Sequence, residues 1–342
     1  MTTIGFVGLG VMGEPMCRNL ARKGGWPVVA FDLRPEPLER LAAQGVRRMD
    51  SAAAVIDEAD IVLLSLPGGP QVRALCLGPD GIVARARHGQ IVADTSTCPV
   101  ALARELETAF AARGVAFADA PIAKTRQAAE QGTLSIMVGA PPELFERLRP
   151  VLAHMGSDVT HCGPVGCGQL VKLMNNMVIA QTVVALSEAI TIARRAGMDD
   201  KLLFDTMTKG SSDSFALRNH GMKAVLPGEF PENAFSARYM RKDLSYALAL
   251  AQETGVAAAG AQHAADLLDA AIAGGDADRY WPRHRQSRRQ DMIGVPMHLP
   301  LPSGERVGVR RPQNASHAPD DPRSSPLTLP LSPKGRGNRE RR

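Results

Sequence analysis

Thr3-Ile4-Gly5-Phe6-Val7-Gly8-Leu9-Gly10-Val11-Met12-Gly13, at the start of a chain of 342 residues, decides the architecture. Ile4 to Val7 reads as a short buried strand, and the glycines Gly8, Gly10 and Gly13 follow in the pattern G-x-G-x-x-G. Glu14 to Lys23 then places Met16, Leu20 and Ala21 on one helical face, and Gly24-Gly25 ends that helix. A second strand, Pro27 to Phe31, finishes on Asp32, 19 positions after Gly13. The glycine pattern alone is a weak signal. Strand, glycines, helix, strand and terminal acid within about 30 residues form a strong one, and they point to a dinucleotide. Gly8 permits the tight turn, Gly10 lets the backbone approach a pyrophosphate, and Gly13 lets the helix pack close to the sheet. With Leu9, Val11 and Met12 between them, these residues form the candidate cofactor loop, at a helix N-terminus whose amides suit phosphate. A carboxylate at Asp32 accepts hydrogen bonds from an adenosine ribose and repels a 2′-phosphate, which favours NAD over NADP. Arg34 is close enough to soften that preference, and a cap for the following helix is the other reading of Asp32.

Outward from this unit, strand and helix signals alternate. Ile61 to Pro67 runs into a Gly/Pro loop, Ile91 to Thr97 ends in hydroxyl residues, and Val115 to Pro121 is a third apolar run, with a helix from Pro99 to Arg113. This alternation predicts an α/β fold: a doubly wound, mostly parallel sheet with helices on both faces. Ligands of such sheets bind outside the carboxyl ends of the strands. Leu66, Pro67, Ser96 and Thr97 fall at those ends and are expected beside the nicotinamide, ordinary loop chemistry being the other reading.

The stretch Gly163-Pro164-Val165-Gly166-Cys167-Gly168-Gln169-Leu170-Val171-Lys172-Leu173-Met174-Asn175-Asn176 opens a long helical segment reaching about Ala196. Lys172 and Asn176 are four apart and share a face. An ammonium beside an amide can hold a hydroxyl or carbonyl oxygen, and a lysine whose pKa is lowered by burial serves as a general acid/base. Taken alone, the pair reads first as a solvated lysine and a helix-surface asparagine. Leu170, Leu173, Met177, Thr182, Val184 and Leu186 recur at helical spacing, interrupted by Glu188, which is expected at a domain interface. A helix of this length spans about 40 Å and can belong to two domains. Beyond it only helical signals appear, at 202–209, 214–219, 239–254 and 262–273, so the second domain reads as all-α. The Met and Leu stripes of that domain read as core, and Ser212 to His220, polar with Phe215 inside it, is a candidate segment to close over a substrate. His220 has no motif around it and is not the expected base.

Composition narrows the classes. Hydrophobic residues make up 44% and aromatics only 4%, so the core is built from Ala, Val, Leu and Met. The five cysteines have neither disulfide-framework nor zinc spacing, so free thiols and no metal site are expected. The net charge is +5, but after residue 280 thirteen Lys and Arg stand against five Asp and Glu, which leaves −3 for the preceding residues. The basic character belongs to the tail, and a nucleic-acid partner is not expected. No secretory leader pattern and no run of 18 uninterrupted apolar residues occurs, so a cytoplasmic location without a membrane span is expected.

Taken in order, these motifs resemble the β-hydroxyacid dehydrogenase family, the group of 3-hydroxyisobutyrate dehydrogenase and tartronate semialdehyde reductase. The stretches are Gly5 to Met16, Ser65-Leu66-Pro67, Asp94-Thr95-Ser96-Thr97, Asp119-Ala120-Pro121 with Gly132 to Gly139, Gly163 to Asn176, and Arg241-Lys242-Asp243-Leu244. They cover residues 1 to about 281 and are specific for the family but weak for the substrate. The resemblance implies a Rossmann domain over 1–162, a connecting helix over 163–196 and an all-α domain over 197–282. It implies that Lys172 is the catalytic lysine, that Asn176 orients the substrate, and that Lys242 lies near the cofactor. It further implies a small anionic hydroxy acid as substrate and a homodimer or homotetramer. One departure stands out. Where the family commonly carries a Ser-Gly-Gly turn that binds the substrate carboxylate, this chain has Ala123-Lys124-Thr125. The hydroxyl and both glycines are gone, and with them the easy positive-φ backbone, so Lys124 or Thr125 is expected to help bind the anion instead.

Residues 283–342 are rich in Pro, Arg and Ser without periodicity and cannot bury enough apolar surface to offset the ordering entropy. They read as a disordered basic tail in a shifted reading frame, a genuine basic arm being the other reading. The expected activity is hydride transfer between NAD(P) and the hydroxyl carbon of a 3-hydroxyisobutyrate-like acid, with Lys172 as general acid/base. The alternatives are an NADPH-dependent reductase of a semialdehyde acid (tartronate or succinic semialdehyde-like), a non-catalytic dinucleotide sensor, and an imine reductase.

Overall fold

The computed structural model describes residues 2–232 and 234–283, so the expectation for the tail lies, beyond residue 283, outside the described residues. Among the described residues nine strands form one sheet: β1 (Ile4–Val7), β2 (Val28–Phe31), β3 (Val46–Arg48), β4 (Ile61–Leu64), β5 (Ile91–Asp94), β6 (Ala116–Asp119), β7 (Ile122–Ala123), β8 (Leu134–Gly139) and β9 (Gly156–Gly163). The order is β3-β2-β1-β4-β5-β6-β8-β7, with β9 paired to β8. From β3 to β6 every pairing is parallel. The chain direction of winding therefore reverses between β1 and β4, and a crevice opens at their carboxyl ends.

The strands are apolar on both faces because both faces are covered. Ile4, Phe6, Ile61, Leu63 and Ile91 enter one core, while Val7, Val62, Leu64 and Val92 enter the other. The period of two sorts successive residues of one strand into two layers. The covering helices are α1 (Gly13–Lys23), α2 (Pro35–Ala42), α3 (Ala52–Glu58), α4 (Gly69–Leu77), α5 (Ile82–Arg85), α6 (Val100–Ala111), α7 (Arg126–Gln131) and α8 (Pro142–Leu152).

The sheet is mostly parallel, as expected, and mixed beyond β6: β8 runs antiparallel to β6 and to β7, then parallel to β9. One expectation needs correction: β3, β7, β8 and β9 are strands that the alternating pattern does not predict. β3 has a single buried residue, Val46, ahead of Arg47 and Arg48, and β9 carries Ser157, Asp158, Thr160 and His161. β3, β7 and β9 bury little, so they lack the continuous apolar run that marks the central strands; β8 is buried and internal to the sheet.

The rest of the described chain is helical: α9 (Cys167–Arg195), α10 (Asp200–Met207), a π-helical segment over Leu217–Val225, α11 (Ala237–Glu253), α12 (Ala259–Ala271) and a second short π-helical turn over Ile272–Asp276. Among the described residues its only strand-like pairings are two isolated bridges, Glu232 with Arg279 and Ser236 with Tyr280. The 29 residues of α9 are apolar and long enough, by length and composition, to cross a bilayer. Here the helix packs against β8, α11, α12 and the π-helical segment. Its buried stripe runs Lys172, Asn176, Ala180, Val183 and Val184. Leu170 and Glu188, expected in the stripe and at a domain interface, are exposed instead.

Trp281, at 1% exposure, closes the helical core with Phe204, Leu244 and Leu268, and its N–H donates to Phe235 O at 3.1 Å. Replacing Trp281 with Ala is expected to cost about 3–5 kcal/mol, the usual range for a buried aromatic, read as a lower urea midpoint at unchanged slope.

Candidate active site

The glycine loop lies in the crevice between β1 and β4. Gly8 sits at φ +95°, and a Cβ there would come within 2.3 Å of Ser65 O. A Cβ on Gly13 would meet Gly8 O at 2.1 Å, whereas Gly10 faces open space with nothing within 4 Å. So the first and third glycines are required by close packing, and the second leaves room for a ligand against bare backbone. α1 begins at Met12 without a side-chain cap, and Val11 is exposed beside it. Such an end offers amides and partial positive charge to a phosphate. These features fit a dinucleotide.

Asp32 ties the loop to β2. The Leu9 N–H donates to Asp32 Oδ2 at 2.6 Å, and Arg34 donates to Oδ1 through its backbone N–H (2.9 Å) and its Nε (3.2 Å). Arg34 Nη2 also donates to Leu9 O at 3.1 Å. Helix α2 starts at Arg34 with no side-chain cap bond, so Asp32 serves the loop and is not the cap of that helix.

At the ends of β4 and β5 the chain is tied crosswise. The Leu66 N–H donates to Ser96 Oγ at 2.8 Å, and the Ser96 N–H donates to the buried Asp94 at 2.9 Å. Burial pushes the Asp94 carboxyl up, opposed by its bonds from Ser96 and Cys98. From α11, Lys242 Nζ reaches across both ends, donating to Pro67 O at 2.9 Å and Thr97 O at 3.4 Å. Tyr246, one turn on, receives the Gly69 N–H on its hydroxyl at 3.2 Å.

Lys172 and Asn176 lie in the buried stripe of α9, where helix geometry forces both inward. Lys172 is 9% exposed, and its Nζ donates to Asn176 Oδ1 at 3.2 Å. Asn176 Nδ2 donates to Asp243 Oδ2 at 2.7 Å. Lys242 Nζ stands 3.0 Å from Asp243 Oδ1, an ion-pair contact without hydrogen-bond alignment. Burial lowers the pKa of Lys172, Asp243 raises it, and Lys242 lowers it again. The chain Lys172–Asn176–Asp243–Lys242 thus links α9, α11 and the carboxyl ends of β4 and β5.

Asp243 is the residue that the sequence reading left without a role. Its signal was present: Met240, Asp243, Leu244 and Ala247 form the buried stripe of α11, and Asp243 is the one acid within it.

The turn at Ala123-Lys124-Thr125 corrects the expectation built on it. Lys124 adopts φ +84° although it is not glycine, so the left-handed turn survives the substitution, at about 1–2 kcal/mol of steric cost. Its ammonium donates to Thr133 O (2.8 Å) and to Asp158 (2.7 Å), which already supplies an anion for it. Ala123 pairs with Ser135 on β8, and the Thr125 hydroxyl accepts from Ala128 N–H to cap α7. Lys124 and Thr125 line an open cleft of about 220 Å³ with Gln127, Ala128, Phe215 and Asn219. The Ser212–His220 segment therefore faces this turn. His220 itself is buried against Trp281, bonded to the Tyr280 hydroxyl at 2.6 Å, and held down to about 4 by burial. The five cysteines are free thiols.

Comparison with known proteins agrees with this layout. Residues 3–163 match the model of the NAD binding domain of 6-phosphogluconate dehydrogenase, and residues 166–280 match that of the NAD-binding region of NADP-dependent 3-hydroxyisobutyrate dehydrogenase. A 3-hydroxyisobutyrate dehydrogenase of Pseudomonas aeruginosa is 38% identical over 260 residues, 74% of this chain and 86% of that protein. The chain belongs to the β-hydroxyacid dehydrogenase family. A solved structure of 3-hydroxyisobutyrate dehydrogenase from Mycobacterium tuberculosis with L-serine superposes with a TM-score of 0.75 at 35% identity, covering 82% of this chain and 97% of that one. A 2-(hydroxymethyl)glutarate dehydrogenase of Eubacterium barkeri is 33% identical over 74% of this chain and 83% of its own length. The family supplies the enzyme class: an NAD(P)-dependent oxidoreductase of the hydroxyacid dehydrogenase type. Gly13→Ala would drive its Cβ into Gly8 O and displace the loop, and is expected to weaken cofactor binding on the order of tenfold or more, read as a smaller thermal shift at a fixed NAD concentration than in the unaltered protein.

Proposed function

We propose that the chain catalyses reversible hydride transfer between NAD and the hydroxyl carbon of a small β-hydroxy acid resembling 3-hydroxyisobutyrate. The observation that carries this reading is the buried Lys172–Asn176–Asp243 chain, set beside the strand ends that Lys242 spans. The Gly8–Gly13 loop holds the pyrophosphate, Asp32 the adenosine ribose, and Leu66, Pro67 and Thr97 with Lys242 flank the nicotinamide. Bound NAD supplies the hydride acceptor.

In oxidation, Lys172 Nζ in its neutral form takes the hydroxyl proton as the carbinol hydride leaves. Asn176 holds that nitrogen in place through Oδ1 as it passes from amine to ammonium, while Asp243 fixes the amide's orientation. Burial favours the neutral amine, which is the form a base requires, and Asp243 keeps the protonated form within reach for the reverse reaction. Exposed apolar residues on α9, among them Val171, Val178 and Ile192, support a homodimer or homotetramer built on this helix.

The test is cofactor reduction over a panel of three- to five-carbon hydroxy acids with NAD and NADP. Lys172→Ala is expected to lose on the order of 10²–10⁴-fold in turnover, the usual share of a general base; retained turnover would overturn the assignment. Asp243→Asn removes the group that raises the pKa of Lys172, so the acid limb of kcat/KM for oxidation should move to lower pH; a limb that stays put or rises contradicts the chain of contacts. Asp32→Asn frees Arg34 and removes the charge that repels a 2′-phosphate. The ratio of NADP to NAD in kcat/KM should rise at least on the order of tenfold.

A further inference from the structure

The carboxylate of Asp119 takes no part in the chemistry above, yet it is 0% exposed and lies at the carboxyl end of β6. Its Oδ1 accepts from the Gly166 N–H and its Oδ2 from the Gln169 N–H, each at 2.7 Å. Those two amides flank the first turn of α9 and would otherwise lack partners at a buried helix end. The space around the carboxylate is shaped for it. A Cβ on Gly139 would meet Asp119 Oδ1 at 2.3 Å, and one on Gly168 would meet Oδ2 at 2.8 Å. Burial pushes the Asp119 carboxyl up to about 6, opposed by these backbone bonds. Gln169, also 0% exposed, ties the same turn to the neighbouring strand end: its Oε1 accepts from the Cys98 N–H at 2.9 Å and its Nε2 donates to Ser96 O at 2.8 Å.

We propose that Asp119 and Gln169 are positioning residues for Lys172, fixing the first turn of α9 against the ends of β6 and β5 and so setting where the lysine nitrogen stands relative to the nicotinamide side of the crevice. Lys172 follows Gln169 by three residues, so a shift or tilt of the first turn is carried directly to Nζ by the rigid helix. The phosphate loop and Asp32 lie on other elements and do not share this tether. This inference rests on Lys172 being the general acid/base.

The experiment compares Asp119→Asn, Gln169→Met and Lys172→Ala with the unaltered full chain. Kinetics are run with the best hydroxy acid and with its analogue deuterated at the carbinol carbon. Asparagine keeps the shape of Asp119 but turns one acceptor into a donor facing an N–H. Methionine keeps the length of Gln169 and removes both its bonds, so it decides the matter if Asp119→Asn fails to fold. Each is expected to lower kcat on the order of ten- to a hundredfold, as misplacement by about 1 Å does. KM for NAD should stay within about twofold, and the deuterium isotope effect on kcat/KM should increase. Unchanged kcat and isotope effect in a folded variant, or a parallel loss of NAD binding, would overturn the proposal. If Lys172→Ala itself retains turnover, it is the assignment of the base that fails and not the tether.

Discussion

The start of α9 is the constraint on which the site depends. A helix of 29 residues that begins inside the protein must satisfy its first amides there, and Asp119 does so from the last position of β6. That requirement fixes which side of the helix faces the sheet. With 3.6 residues per turn, the same rotation carries Gln169, Lys172 and Asn176 inward and continues as Ala180, Val183 and Val184 in the helical core. One helix thereby serves two roles along one stripe, polar where it meets the crevice and apolar where it joins its neighbours.

The electrostatics follow from that placement. Two lysines face one buried carboxylate, Asp243, at the junction of α9 and α11: Lys242 directly, and Lys172 by way of the Asn176 amide. A buried amine with less than a full counter-charge is held toward its neutral form. Lys242 differs in its surroundings: it is partly exposed, rests over the rings of Tyr239 and Tyr246, and spends its hydrogen bonds on backbone carbonyls. The two lysines are thus set apart by environment and not by residue type.

Legibility in the sequence tracks how local each feature is. The G-x-G-x-x-G unit, Asp32 and the pairing of Lys172 with Asn176 are spaced within single elements or one βαβ unit, and the structure brings each set into contact. The edge strands escaped because half-exposed strands carry no continuous apolar run; β9 carries the polar pairs Ser157-Asp158 and Thr160-His161. Lys124 misled for a different reason. The absence of glycine argues against a left-handed turn, but β7 pairing on one side and the Thr125 cap on the other hold the backbone at positive φ regardless. Its charge, free in the sequence, is claimed by Asp158, a residue 34 positions away.

By itself the sequence determined the dinucleotide fold, the long helix with its Lys-Asn face, and the helical second half, because each rests on periodicity or on short-range steric rules that operate wherever the segment sits. Only the tertiary structure decided that Asp243 stands behind Asn176, that Lys242 bridges Pro67 and Thr97, and that Asp119 receives the first amides of α9. These contacts join residues 47 to 175 positions apart. A carboxylate or an ammonium acquires its partner, its burial and hence its protonation state only when distant elements pack together.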